Sequence, residues 1–281
     1  MKHIGLILFL AFFSCQSLWA ATVFTFKTKD LGSLSSETQQ MKITADVDTR
    51  RLRIDSDPDD SLIYRGDLPE QTVLIVDHPR RSTQRMNREQ MQGMANQMQQ
   101  MMQQMQAQMK NMPPEVQKKF RDMQTQQQST DAKMPSGSAR TIKLTKKRET
   151  VGKYRCNIYE MHRDEMMTEI CATPWKQVKN GRAAFELFQE MFELQREMMQ
   201  AFASGMPRSG PRPEQQQNSM MDIDMQQGFP VQVKLYEKGQ LTHSSQLESV
   251  AETSQLDAKF FDSPDGYETK SFGMQNGMKR R

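Results

Sequence analysis

Between Thr22 and Asp77 the chain alternates apolar and polar residues in five short runs. Thr22–Lys27, Met41–Val47, Arg51–Asp55, Leu62–Gly66 and Thr72–Asp77 each show the period of two that sends side chains to alternate faces of a strand. Only short polar turns separate the runs, and short connections join antiparallel neighbours. An antiparallel sheet with one wetter face is therefore predicted. Asp55-Ser56-Asp57-Pro58-Asp59-Asp60 lies in one of these turns. Its acidic spacing resembles the start of a calcium loop, but Asp60 stands where such a loop needs Gly and Gly66 where it needs Glu, so it is read as a turn.

The pattern then changes. Residues 84–128 hold 15 Gln and 10 Met among 45 residues. Met91, Met94, Met98, Met101, Met102, Met105, Met109 and Met112 follow spacings of three and four. At about 100° per residue they share a stripe about 100° wide, so a long Met/Gln-rich helical insertion is expected. Asn87 is placed to cap it, with Gln90 three residues on, and Pro113-Pro114 ends it, with a short second helix from Pro114 to Gln124. A second amphipathic helix is expected over 182–203. Its apolar face carries Phe185, Leu187, Phe188, Met191, Phe192, Leu194, Met198, Met199 and Phe202, which is broad enough to demand burial against a sheet or another helix. The Pro, Gly and Gln of 204–227 read as a flexible linker. A last hairpin is expected from Phe229–Leu235 and Gln240–Val250, turning at Lys238-Gly239, with a polar tail beyond Tyr267.

Residues 1–20 read as a cleaved secretory signal. Lys2 and His3 precede the apolar run Ile4–Phe13, which is too short to span a bilayer, and Ala20 offers a small residue before the cut. The alternative is a lipid anchor on Cys15, with Phe12 where such a signal usually has Leu. Residues 21–281 then form a single exported α+β domain, placed in the periplasm. Cys156 and Cys171 remain, and an exported chain with two cysteines allows one intramolecular bond. If the turn between the runs 154–161 and 166–172 centres on Arg163-Asp164, these two cysteines oppose each other directly.

Composition narrows the function. The 38 basic and 34 acidic side chains leave a net charge of +4, which excludes a strongly basic nucleic-acid binder. A mean hydropathy of -0.78 excludes a polytopic membrane protein; a soluble exported chain fits, with room for transient membrane contact. No nucleotide-binding glycine loop, nucleophile elbow or zinc-protease motif is recognisable, and His78, His162 and His243 stand apart in sequence. No cofactor is called for. Thioether sulfur is a soft donor suited to Cu(I), so Met94, Met98, Met101 and Met105 are the candidate copper ligands, without a His or Cys on the same helix. Methionine also makes adaptable apolar binding surfaces. On that reading the methionine stripe, with Phe185, Phe188, Phe192 and Met199, is the surface for an apolar ligand or partner protein.

Three groups of segments carry a resemblance. They are Leu62-Ile63-Tyr64-Arg65-Gly66-Asp67 with Val76-Asp77-His78-Pro79; Gly152–Tyr159 with Glu169–Ala172; and Gly228-Phe229-Pro230 with Phe260–Tyr267. Their order resembles the exported bacterial family named only as domain of unknown function 4412, itself similar in fold to periplasmic lipoprotein carriers. The resemblance implies a curved antiparallel sheet that wraps around helices; the fold expected is α+β, a curved antiparallel sheet, a partly open barrel, packed on the 182–203 helix, with the long Met/Gln-rich helical insertion beside it. The resemblance implies no catalytic residue. The expectation is a non-catalytic periplasmic binding protein for a lipid-like ligand or partner protein, with Cu(I) binding or buffering as the alternative.

Overall fold

The computed structural model describes residues 20–32, 38–57, 59–110, 141–163, 165–204, 227–254 and 256–271. Six strands come first: β1 (Ala21–Asp30), β2 (Thr38–Asp46), β3 (Arg51–Asp57), β4 (Asp60–Arg65), β5 (Thr72–Asp77) and β6 (Ser82–Asn87). The helix α1 (Arg88–Lys110) follows β6 without a break. Then come β7 (Thr141–Val151), β8 (Tyr154–Arg163), β9 (Met166–Thr173), one 3₁₀ turn at Trp175–Gln177 and α2 (Gly181–Ser204). The hairpin β10 (Phe229–Glu237) and β11 (Gln240–Thr253) precedes a short β12 (Glu268–Ser271).

The twelve strands make one sheet in the order β12-β6-β5-β4-β3-β2-β1-β11-β10-β9-β8-β7. Every pairing is antiparallel except β12 on β6. The strand order is linear and the sheet is not closed; two helices accompany it, α2 at the helix expected over 182–203 and α1 within the 84–128 segment. Along the β7 edge, Lys143, Lys146 and Lys147 are exposed and the register shifts between Leu144 and Arg148. Charges and a bulge there deter edge-to-edge pairing.

Adjacent residues point to opposite faces of a strand. Tyr64 and Val73 belong to the main core with Phe24, Ala45 and Leu52, whereas Ile63, Leu74 and Val76 form a second core on the other side. The first side is called the inner face here and the second the outer. On the inner face α2 buries Ala184, Leu187, Met191, Leu194 and Met198, at the three-and-four spacing of one helical stripe. Asn180, just before α2, donates from Nδ2 to Thr22 Oγ1 at 2.9 Å and fixes the helix start over β1. The expected Asn87 cap is present: Gln90 N–H donates to Asn87 Oδ1 at 2.9 Å.

Two local geometries explain the second half of the sheet. Lys238 and Gly239 both have positive φ, 51° and 79°, as a two-residue turn between β10 and β11 requires. Gly228 has φ 105°, and a Cβ there would sit 2.2 Å from Thr173 O, so only glycine lets β10 begin this close to the end of β9. Cys156 and Cys171 are bonded, with Cα atoms 5.3 Å apart. The register differs from the sequence reading. Cys171 pairs with Ile158 and Arg163 with Met166, so the turn lies one residue later and the cysteines are diagonal rather than direct neighbours. A close diagonal pair still meets the distance a disulfide needs. The expected helix over 114–124, the bulk of the 204–227 linker and residues 1–19 of the expected signal, Cys15 among them, lie outside the described residues.

Candidate binding surface

The methionine stripe divides along α1. Met91 belongs to the main core, Met94 packs against it, and Met98 is also buried. Met101, one turn further, is 50% exposed. The side chains of Met102, Met105 and Met109, and all of Met112, lie outside the described residues, so the copper set is described only for Met94, Met98 and Met101. Among the described residues no group of three or more His, Cys, Asp or Glu is placed to hold a metal ion. No described helix is long and apolar enough to cross a membrane.

The broad face of α2 also divides. Phe188 and Phe192 are only partly buried and meet edge to face, with ring centroids 4.4 Å apart. Met199 is 47% exposed. Phe185 is different. It is buried against Ile170 and Ala172, with Trp175 at 5.4 Å between centroids, and so serves a satellite core.

Ion pairs set where the helices sit. Arg88 in the first turn of α1 meets Glu197 of α2, Nε to Oε2, at 2.6 Å. Met199, two positions after Glu197, turns about 200° away from that contact at about 100° per residue, and Met101 lies roughly 20 Å from Arg88 along the α1 axis at 1.5 Å per residue. Glu190 holds α2 to the sheet: Arg50 donates to its Oε2 at 2.7 Å and the Tyr64 hydroxyl at 3.4 Å. Burial, reinforced by the Glu190 charge, pushes the Tyr64 phenol up to about 12, so it stays neutral and donates.

A second cluster sits on the outer face. The 256–267 segment crosses β3–β6 there, with Phe261 buried against Ile63, Leu74 and Val76. Arg51 and Arg53 each stack at 4.8 Å over the Phe261 and Phe260 rings, respectively. Arg53 also donates to Phe260 O, and Arg65 pairs with Asp262. Through its two hydrogen bonds to Asp67, the same Arg65 holds that carboxyl below the usual aspartate range. Ser61 Oγ lies 2.9 Å from His78 Nε2, and His78 Nδ1 lies 3.0 Å from the Tyr267 hydroxyl.

A serine beside a histidine invites a nucleophilic reading. Ser61, however, donates its proton to Asp55 Oδ1 at 2.5 Å, so His78 donates from Nε2 to Ser61 and accepts from Tyr267 at Nδ1. Ser61 is also buried. The relay fastens the C-terminal segment to the sheet and presents no activated hydroxyl. Its partners come from four separated stretches, and the sequence signal that could have found it is the Arg51/Arg53 alternation facing the Phe260-Phe261 pair.

No family model matches the chain, and no curated protein sequence matches it. Several solved structures are similar at low identity. An uncharacterized conserved protein from Thermus thermophilus is 6% identical with a TM-score of 0.39, over 89% of this chain and 90% of that one. MucB in complex with MucA(peri) is 9% identical with a TM-score of 0.32, over 89% of this chain and 56% of that one. An outer membrane lipoprotein-sorting protein domain from Vibrio parahaemolyticus is 8% identical with a TM-score of 0.28, over 87% of this chain and 90% of that one. Likeness at this level says nothing of activity, ligand or partner.

Proposed function

We propose that this chain is a non-catalytic, exported binding protein that takes an apolar, lipid-like ligand or a partner protein along the α1–α2 surface. The observation that carries the reading is the split of both helices into a buried stripe and an open one. Met191 and Leu194 are buried, so the fold is already served by one stripe. Met101 and Met199 are exposed beyond that packing, and Phe188, Phe192 and Met94 pack against the core while staying only partly buried. Exposed apolar side chains grouped in this way favour an apolar partner, and methionine adapts to varied shapes. The Cys156–Cys171 bond supports an oxidising compartment such as the periplasm, as does the signal-like start of the sequence.

Native mass spectrometry of the full chain purified from periplasm tests the reading. A co-purified lipid-like molecule or protein partner is expected. Copper adducts without either would overturn it in favour of the thioether-donor alternative.

A further inference from the structure

The two edges of the sheet, β12 and β7, differ in charge. At the β12 edge, Glu268 and Lys270 pair with each other at 3.4 Å. Residues 141–155 form the β7 edge and its turn into β8. They carry Lys143, Lys146, Lys147, Arg148, Lys153 and Arg155 against the single carboxylate of Glu149. That local excess is larger than the net charge of +4 on the whole chain, so the rest of the molecule is close to balance.

The carboxylates near this edge are already engaged. Glu149 lies 3.6 Å from the Lys234 ammonium, which Glu169 meets at 2.8 Å. Glu160 takes Lys147 at 3.4 Å. Lys143, Lys146, Arg148, Lys153 and Arg155 are exposed, and none of them pairs with a carboxylate among the described residues. In their midst Leu144 is 57% exposed, more than any other large apolar side chain described. Deterring strand pairing does not account for this set. A few charges and the bulge suffice for that, and an exposed leucine works against it.

The cations do not converge on one point, as a site for a single anion would require. Lys143 stands opposite Glu160 and Arg148 opposite Asn157, positions of opposite parity on β8, so the charges flank both faces of the edge. They are spread along a strand roughly 35 Å long at about 3.4 Å per residue. An extended anionic surface matches that spread. Lysine and arginine keep their charges at headgroup level while their stems and a neighbouring leucine reach the acyl boundary.

We infer that the β7 edge, with Lys143, Lys146, Arg148, Lys153 and Arg155 around Leu144, docks edge-on to an anionic lipid bilayer. The inference does not rest on apolar capture by the two helices.

The test is co-sedimentation of the full chain, purified from periplasm, with vesicles of phosphatidylcholine alone or mixed with an equal part of phosphatidylglycerol. Binding is expected to the mixed vesicles only, and to be lost in about 1 M salt, where screening acts over about 3 Å. Lys143→Gln/Lys146→Gln/Arg148→Gln should weaken it about a hundredfold, about fivefold for each charge removed. Lys27→Gln/Lys29→Gln/Lys42→Gln removes as many exposed charges from β1 and β2 in the middle of the sheet, and should bind within about twofold of wild type. Leu144→Gln should weaken binding about tenfold and keep its dependence on salt. All these positions are exposed, so the melting temperatures should match wild type.

Equal binding to both kinds of vesicle, or to neither, would overturn the inference. Equal loss in the two triple variants would overturn the assignment to the β7 edge, since net charge alone would then explain it. Wild-type binding by Leu144→Gln would overturn the apolar contact. Retention on immobilised polyglutamate without binding to the mixed vesicles would replace the bilayer with an acidic protein.

Discussion

On the inner face, α2 lays Leu187, Met191 and Leu194 against Phe24, Leu52 and Tyr64, and its polar fastenings, such as Arg50–Glu190, lie at the margin. On the outer face, the 256–267 segment buries Phe261 but is held by Arg51, Arg53 and Arg65, by His78 on Tyr267 and by Thr83, whose hydroxyl lies 2.7 Å from that of Ser263. Apolar packing is non-directional, so a helix held that way can carry more apolar surface than the fold uses. Hydrogen bonds and ion pairs are directional and saturate, so the outer face leaves little over. The difference explains why the candidate surface lies on the helices and not on the C-terminal segment.

The comparison breaks first at the inner core. Leu194 is almost wholly buried, and Leu194→Ala should cost about 2–5 kcal/mol, read as a lower urea midpoint at an unchanged slope. A loss below about 1 kcal/mol would show that α2 is not held by this stripe. Cys156→Ser should cost about 2–4 kcal/mol, since the bond closes a short loop between β8 and β9. Thiol labelling of the unfolded, unreduced protein should find no free thiol at these two positions.

Tyr64 sharpens the account of how α2 meets the sheet. Its folded-state pKa, about 12, lies above the ordinary value of 10.0. The folded state therefore holds the phenolic proton more tightly than the unfolded chain. The stability this gives is fully present below pH 10 and is lost as pH rises toward 12, by at most about 2 kcal/mol. Denaturation series across that window should show the decline, and Tyr64→Phe should flatten it. On the outer face, Tyr267→Phe removes one hydrogen bond to His78 and should cost about 1 kcal/mol. Faster proteolysis between 254 and 271, with the inner core still protected by hydrogen exchange, is the expected sign of that local loosening.

Much of the sheet was legible in sequence because its signals are local. The alternation in Thr72–Asp77, the Asn87 cap and the Lys238-Gly239 turn each involve neighbours only, and each is present. The pairing of β12 with β6 was not legible. Glu268–Ser271 has no apolar alternation, and its parallel partner Ser82–Arg85 lies far away in the chain. Nor was the relay through His78, whose contacts join residues 17 and 189 positions apart. The hairpin register was misjudged by one turn position, because nothing in Arg163-Asp164-Glu165 distinguishes the two settings. For the candidate surface, periodicity gave the stripe on α1 but not its division, since the depth to which Met94, Met98 and Met101 are covered depends on where α2 lies. Phe185 shows the same limit: it shares a helical face with Phe188 yet is covered by Trp175 and Ile170.

The central claim is that the α1–α2 surface acts through its apolar character. The most direct measurement is the dissociation constant for N-phenyl-1-naphthylamine in two paired variants, Met101→Gln/Met199→Gln and Met101→Leu/Met199→Leu. Both positions are exposed, so stability should shift by less than about 0.5 kcal/mol in either variant. The Gln pair should bind about tenfold more weakly, because it replaces apolar contact with amides, while the Leu pair should match wild type. Equal binding by all three would contradict the account, and so would a Leu pair as impaired as the Gln pair, since that would make the sulfur atoms, and not the apolar character, what binding requires.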